Sequence, residues 1–254
     1  IYPEVFINIT QIKNLIINMT LPKAQDRMFT EELKKVIRGD IDTTEESLFR
    51  YSHDASIFEV RPKAVVYPKD ESDIKSIVRW VKDNKERFPE LSITARAAGT
   101  CMSGGPLGES IILDTTRYMN QILEIKEVAP YQKKIRVGRN EKEIEISGTA
   151  RVMPGCFYRD LEKEAFEKKL LLPSYTASKS INAVGGMVGN NSGGELSLRF
   201  GKTENYVRSI RIVLSDGEIY EIGKINRNDY YNEIAKPGKL GELYKTLFFF
   251  FLDN

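Results

Sequence analysis

The chain has 254 residues with 38 basic and 36 acidic side chains, a balance that gives no electrostatic reason for a nucleic-acid partner. Its 41% hydrophobic and 29% charged content is that of a globular protein able to bury a sizeable core, and no apolar run reaches the roughly eighteen residues of a membrane span. A single histidine and two cysteines exclude a multi-histidine metal centre, a standard zinc spacing and a disulfide framework, so that any enzymatic chemistry falls to a bound cofactor.

Residues 1–29 read as an irregular, partly apolar arm. No secretory signal is visible, and the scarcity of cysteine fits a reducing cytoplasm. The start at Ile1, without an initiator Met, gives the expectation of a fragment or an excised domain. A short helix is predicted over Thr30–Gly39, with Thr30 as N-cap, Glu31 and Glu32 in the first turn and Gly39 as the stop. A polar stretch then ends in Tyr51-Ser52-His53-Asp54-Ala55-Ser56.

From Pro62 the pattern is β–α–β. Ala64–Pro68 reads as a strand, and Asp70 with Asp73 resembles a capping box ahead of Ile74, Ile77, Val78 and Val81 at helical spacing. Leu91–Ala95 leads into Arg96-Ala97-Ala98-Gly99-Thr100-Cys101-Met102-Ser103-Gly104-Gly105, and Ser110–Asp114 leads out. A turn so rich in small residues leaves backbone N–H groups open to close approach, which is what a diphosphate needs. An ordinary Gly-rich hairpin loop is the other reading of this stretch alone.

Ile122–Ile125 is a candidate for a further strand, and Ile135–Val137 and Ile144–Ile146 alternate as half-buried strands do. Ala150–Gly155 adds a third strand and a turn, residues 157–169 a helix, and Leu170-Leu171-Leu172-Pro173 an exit into a polar loop. A second glycine-rich stretch, Ala183–Gly194, follows. Ile210–Leu214, the Asp216-Gly217 turn and Glu218–Ile222 read as a hairpin. The apolar Leu247–Leu252 calls for a partner surface and fits a chain that stops short of its natural end.

Four of these pieces, in this order and at family-like spacings, resemble the FAD-binding domain of the vanillyl-alcohol oxidase and p-cresol methylhydroxylase (PCMH) type over residues 46–223. They are Tyr51–Ser56 before Arg61-Pro62, the Arg96–Gly105 loop, Val184-Gly185-Gly186 with Asn191-Ser192-Gly193-Gly194, and Gly201 ahead of Ile212-Val213-Leu214-Ser215-Asp216-Gly217. The most similar subgroup is the FAD-linked D-lactate and glycolate dehydrogenases. The resemblance implies an α+β fold of two lobes, each a small sheet with flanking helices, and FAD between them. The division it implies is an N-terminal arm with a short helix over 1–45 and the FAD-binding domain over 46–224. Within that domain the lobes fall at about 58–125 and 126–224, and residues 225–254 form a linker or the start of a truncated C-terminal region.

On the same resemblance Arg96, Ala97, Ala98, Gly99, Thr100, Cys101, Ser103 and Gly104 wrap the pyrophosphate with backbone N–H groups. Pro173, Ser178 and the stretch holding Gly185, Gly186, Gly189, Asn190, Asn191, Gly193 and Gly194 run along the ribitol and flavin side. Gly201 belongs to the motif, and the backbone of Ile212 touches the cofactor from the second lobe. Family members usually carry Gly or Ser where Ala97 stands and Gly or a small polar residue where Cys101 stands. Tyr175 and Ala183 occupy positions that are often Asp and Thr, which weakens polar flavin contacts there. Thr100 stands where a tethering His would be, and no Cys lies in 157–254, so the implied FAD is non-covalent.

Each singled-out residue also has a plainer reading. Cys101 is a redox thiol or a small residue in a tight turn, and Cys156 an activated thiol at a helix start or a buried inert one. His53 is a proton acceptor near the flavin or a surface or capping residue. Arg96 is a diphosphate contact or half of a salt bridge within the lobe. Asn190 and Asn191 serve left-handed turns, the cofactor, or both.

The function implied is transfer of hydride from a small 2-hydroxy acid, such as D-lactate or glycolate, to FAD, with reoxidation by a separate quinone, cytochrome or electron-transfer protein. In the resembled family the substrate-binding and base residues lie mostly in a C-terminal substrate domain outside this chain, so no catalytic residue is named. The alternative is a truncated or split FAD-holding module without turnover. The cell-wall enolpyruvyl reductases share the domain but draw hydride from NADPH, for which no second dinucleotide motif is present. The expected location is the cytoplasm, or its membrane surface.

Overall fold

The computed structural model describes residues 24–252. Helix α1 (Ala24–Leu33) precedes a four-stranded sheet made of β1 (Asp40–Asp42), β2 (Ala64–Tyr67), β3 (Ile93–Arg96) and β4 (Ile111–Asp114) in the order β1-β2-β4-β3. The pairs β2·β4 and β3·β4 are parallel, while β1 runs antiparallel on the edge. Every residue of β2 and β4 is buried, as an unbroken apolar run requires when helices cover both faces of parallel strands. On one face Ala64, Val66, Ile111 and Leu113 pack against Phe29 and Leu33 of α1 and Ile77 of α3 (Glu71–Asp83). On the other, Val65 and Tyr67 meet Leu48 of α2 (Glu45–Tyr51). Each Val, Leu, Ile or Phe side chain among these contributes about 1.5–3 kcal/mol on burial.

Asp70 caps α3 as its position predicts, accepting from the Ser72 and Asp73 amides at 2.9 and 3.3 Å. Asp73 is buried but does not close a box on the Asp70 amide. It accepts instead from the Arg38 and Lys69 amides at 3.0 and 2.9 Å, tying the helix start to the segment before β1. The first helix is displaced from its expected place: Thr30 is an interior, buried residue of α1 and not its cap. Phe29 and Leu33, one turn apart and both fully buried, draw the preceding residues into the helix. Gly39 is correspondingly no helix stop. A Cβ there would lie 2.1 Å from the Tyr67 carbonyl oxygen, so the glycine serves the close approach of the chain to β2.

Beyond the sheet, the short strands expected over 122–155 are two long ones. β5 (Ile122–Val137) and β6 (Asn140–Val152) form an antiparallel ribbon turning at Gly138, whose φ is +62°. Ile122–Ile125 is the start of β5 and Ala150–Val152 the end of β6. Register breaks between Ile122 and Glu124 and between Glu127 and Tyr131 reset the inward face, which is why the alternation reads as separate pieces.

Then follow α4 (Tyr158–Glu167), α5 (Val184–Gly189), α6 (Ser197–Phe200), a 3₁₀ turn over Thr203–Asn205, and the hairpin β7 (Ser209–Val213) with β8 (Ile219–Gly223). The hairpin turns at Gly217, φ +77°, as Asp216-Gly217 predicts. The class is α+β, but the second half holds two separate two-stranded ribbons where a single small sheet is expected. The β7–β8 ribbon docks on α3, through Arg211 on Glu71 at 2.7 Å and through Arg79 and Lys75 on Glu218. Last come α7 (Arg227–Ala235) and α8 (Lys239–Leu252), where Phe248 of the apolar tail packs on the Tyr231 ring at 5.9 Å.

Candidate cofactor-binding site

Arg96 ends β3 opposite Asp114 of β4, and because these strands are parallel the segment between them is a crossover, not a hairpin loop. Gly99 and Gly104 hold φ values of +70° and +76°, the left-handed conformation that glycine adopts without cost. Among the described residues, no carbonyl or side chain accepts from the amides of Ala97, Ala98, Gly99 or Thr100. Half-buried donors without protein acceptors call for a ligand or water. The loop is walled by residues 54–58: the Ala55 amide donates to the Cys101 carbonyl at 3.1 Å, and the Phe58 ring lies 3.0 Å from where a Cβ on Gly104 would sit.

The Arg96 guanidinium lies over the Tyr51 ring at 4.9 Å and donates to the Tyr51 carbonyl at 3.4 Å. It also fills the space beside Gly99, 2.4 Å from the position of an added Cβ. Tyr51 is held in turn by its hydroxyl, which donates to Asp114 Oδ2 at 2.9 Å; burial, then the Tyr67 hydroxyl and the Asp114 charge, raise its pKa. Arg96 forms no ion pair among the described residues, so the intra-lobe salt bridge is not what is observed; burial lowers its pKa, the sign of a cation short of compensation. Asp54 Oδ2 nearby is buried without a partner.

The second glycine-rich stretch meets the first at two points. A Cβ on Gly186 of α5 would stand 3.6 Å from the Ala97 methyl, and the Asn190 side chain reaches the Cys101 thiol. Gly185 is pressed on the preceding turn, its amide donating to the Pro154 carbonyl at 2.7 Å. Cys101 Sγ lies 3.1 Å from Ser103 Oγ, and that hydroxyl, ahead of the Ser103, Gly105 and Asn190 groups, lowers the thiol pKa. Cys156 is fully buried and burial pushes its thiol up to about 11, which is the inert reading.

The remaining predicted residues divide. Gly189 faces open space. Asn191 takes the left-handed turn at φ +45°, and its side chain accepts from the Glu204 amide and donates to the Glu204 carboxylate, both at 2.9 Å. Asn190, at φ −94°, is not left-handed. Gly194 approaches the Tyr175 carbonyl to 2.4 Å at its absent Cβ, and Gly193 the Ser197 hydroxyl to 2.3 Å. Gly201, φ +74°, packs on Asn205 and the Arg136 carbonyl.

Ser178 Oγ is 2.9 Å from Thr176 Oγ1, which accepts from Asn182 Nδ2 at 2.7 Å; Pro173 precedes Ser174. Ser174 Oγ and Asn182 Oδ1 are buried and unpartnered. Ile212 lies in β7, whose ion pair runs to α3, and it is the predicted residue least tied to the others. His53 bridges to Glu59, with Nδ1 2.8 Å from Ser52 Oγ and its ring edge-on to Phe49, as a surface residue does. Among the described residues no group of His, Cys, Asp or Glu is placed to hold a metal ion.

Tyr51, Asp54 and Phe58 are the site residues that sequence reasoning left without a role. Tyr51 and Asp54 stand inside a recognised motif, and only the fold shows that the motif walls the loop. Open amides and an unpaired guanidinium at one place fit an anionic dinucleotide.

Comparison with known proteins agrees. The family described as "FAD binding domain" matches residues 62–223. D-2-hydroxyglutarate dehydrogenase of Stutzerimonas stutzeri is 30% identical over 202 residues, which are 78% of this chain and 39% of that protein. Glycolate oxidase subunit GlcD of Bacillus subtilis is 30% identical over 176 residues, 68% of this chain and 32% of that one. Among solved structures, 6-hydroxy-D-nicotine oxidase of Arthrobacter nicotinovorans superposes with a TM-score of 0.56 at 20% identity, over 77% of this chain and 38% of that one. An alkyldihydroxyacetonephosphate synthase gives 0.60 at 18% identity, over 80% and 36%. The chain thus spans well under half the length of the relatives it matches.

Proposed function

Since the chain belongs to the FAD binding domain family, we propose that it is the cofactor-holding portion of a flavin-dependent dehydrogenase that oxidises a small D-2-hydroxy acid. The observation that carries the reading is the meeting of the Ala97–Gly104 loop, with its open amides, and the Gly186–Asn190 segment beside the unpaired Arg96. The amides of Ala97 to Thr100 and the Arg96 guanidinium hold the diphosphate. Gly99 and Gly104 let the backbone come close to it, and Tyr51, fixed by Asp114, positions Arg96. Ser174 and Asn182 offer their unpaired oxygens to the polar chain of the cofactor, with Pro173 and Ser178 alongside.

Bound flavin supplies an acceptor for the hydride of the carbon that bears the substrate hydroxyl. D-2-hydroxyglutarate joins D-lactate and glycolate as a candidate, since relatives at similar identity carry that name. The electrons leave to a separate quinone, cytochrome or electron-transfer protein, and Thr100 leaves the flavin untethered. The site of action in this reading is the cytoplasm or its membrane surface; among the described residues no helix is long and apolar enough to cross a membrane.

The test is to purify the chain, record flavin absorption before and after denaturation, and add each of the three acids without oxygen. The expected result is flavin that denaturation releases and that one acid bleaches. Absence of flavin overturns the reading, and flavin that none of the acids bleaches replaces it with a holding module.

A further inference from the structure

A second cationic feature lies away from the glycine-rich pair, where β5 passes the β7–β8 ribbon. Lys133, Arg208 and Lys224 line one groove of about 410 Å³, together with Ser209, Glu221 and Gly223. The groove is held by Asn205, whose side chain accepts from the Arg136 amide and donates to the Arg136 carbonyl, both at 2.9 Å, fixing β5 beside the segment that enters β7. Lys133 is half-buried and donates one hydrogen bond, to the Asn205 carbonyl. The one carboxylate of the groove, Glu221, is engaged by the Ser209 hydroxyl at 2.8 Å.

Several cations on the neighbouring surface are neutralised by contrast: Arg79 and Lys75 by Glu218, Arg38 by Asp70 and Asp73, Arg211 by Glu71. None of the three groove cations has an ion pair among the described residues. Burial, and then repulsion from Lys224 and Arg208, lowers the Lys133 pKa, as expected where like charges are gathered without a counter-ion.

We propose that this groove is a phosphate-binding site, taking the dianion of inorganic phosphate or of a phosphomonoester between Lys133, Arg208 and Lys224. A phosphate carries a charge of about −2 and three acceptor oxygens, which match three separate cationic donors better than the single charge of a carboxylate. Arginine offers a planar fork and the two lysines point charges, the mixture that phosphate sites use. The groove shares no residue with the loop after β3, so the inference stands apart from the flavin reading.

Calorimetric titration of the full chain with inorganic phosphate and with glycerol 3-phosphate, at constant ionic strength, tests it. Saturable binding is expected, weakened about tenfold or more in the double variant R208Q/K224Q, which alters only exposed side chains, and in K133M. The tighter of the two ligands identifies the source of the phosphate group. Absence of saturable binding by both overturns the proposal, as does binding that R208Q/K224Q leaves unchanged, which would put the anion at the β3 loop.

Discussion

The two cysteines of this chain stand in opposite electrostatic surroundings, and the difference is measurable. Cys101 is partly exposed and its thiol is drawn down by the Ser103 hydroxyl, so more of it is thiolate at any neutral pH. Cys156 is buried and its thiol, at about 11, stays protonated. A disulfide reagent at mildly alkaline pH should therefore consume one thiol quickly and the second only after denaturation. Two equally fast thiols would contradict the burial of Cys156. Gly99 makes a second residue-scale case. At φ +70°, with the Arg96 guanidinium filling the place of a side chain, G99A should cost about 1–2 kcal/mol of stability and weaken flavin binding about tenfold, read by thermal melting and by flavin fluorescence. At this scale the sequence was informative about which residues cluster but not about how each acts. Asn190 and Asn191 are indistinguishable as letters, yet one takes a left-handed turn and locks onto Glu204 while the other reaches Cys101. A side chain's partner is set by the fold around it.

At the scale of elements, α3 was legible because its cap and apolar stripe are local signals, and the β7–β8 hairpin because Asp-Gly fixes its turn. What was not legible depends on distant partners. The start of α1 follows from Phe29 and Leu33 meeting β2 and β4, the long ribbon is hidden by register breaks that flip its alternation, and parallel pairing of β3 with β4 leaves no local mark. The docking of the β7–β8 ribbon on α3 is electrostatic and exposed, so it should answer to pH. Glu218 is held below its ordinary 4.5, first by the Arg79 hydrogen bond and then by Lys75. A lowered carboxylate pKa adds stability that is fully present above the unfolded value and lost as pH falls through the folded one. E218Q should lower the thermal midpoint at neutral pH, with the deficit vanishing in acid and shrinking in high salt. A deficit that persists in acid would mean the residue acts by packing.

Across the whole molecule, the sheet and its helices form one packed body, while α7 and α8 pack chiefly on each other through Tyr230, Tyr244 and Phe248. Their connection carries Gly238, φ +100°, and exposed Lys239, the tryptic site there, since Pro237 protects the bond after Lys236. Brief trypsin treatment should cut there before it cuts the sheet, leaving a large fragment that keeps its flavin absorption; loss of flavin with the first cut would show that the helical pair supports the site. The α+β class followed from motif order, whereas the division of the second half into two ribbons depends on long-range strand pairing that leaves no local mark. The open amides of Ala97 to Thr100 carry one more consequence. Donors that belong to the main chain have no side chain to truncate and no proton to lose near neutrality. Replacement of Ala97 or Thr100 by another small residue leaves them in place, so an alanine scan passes over these donors without registering them. Their capacity to donate stays level from mildly acid to mildly alkaline solution, and the loop's letters are free to drift as long as its dihedral angles do not.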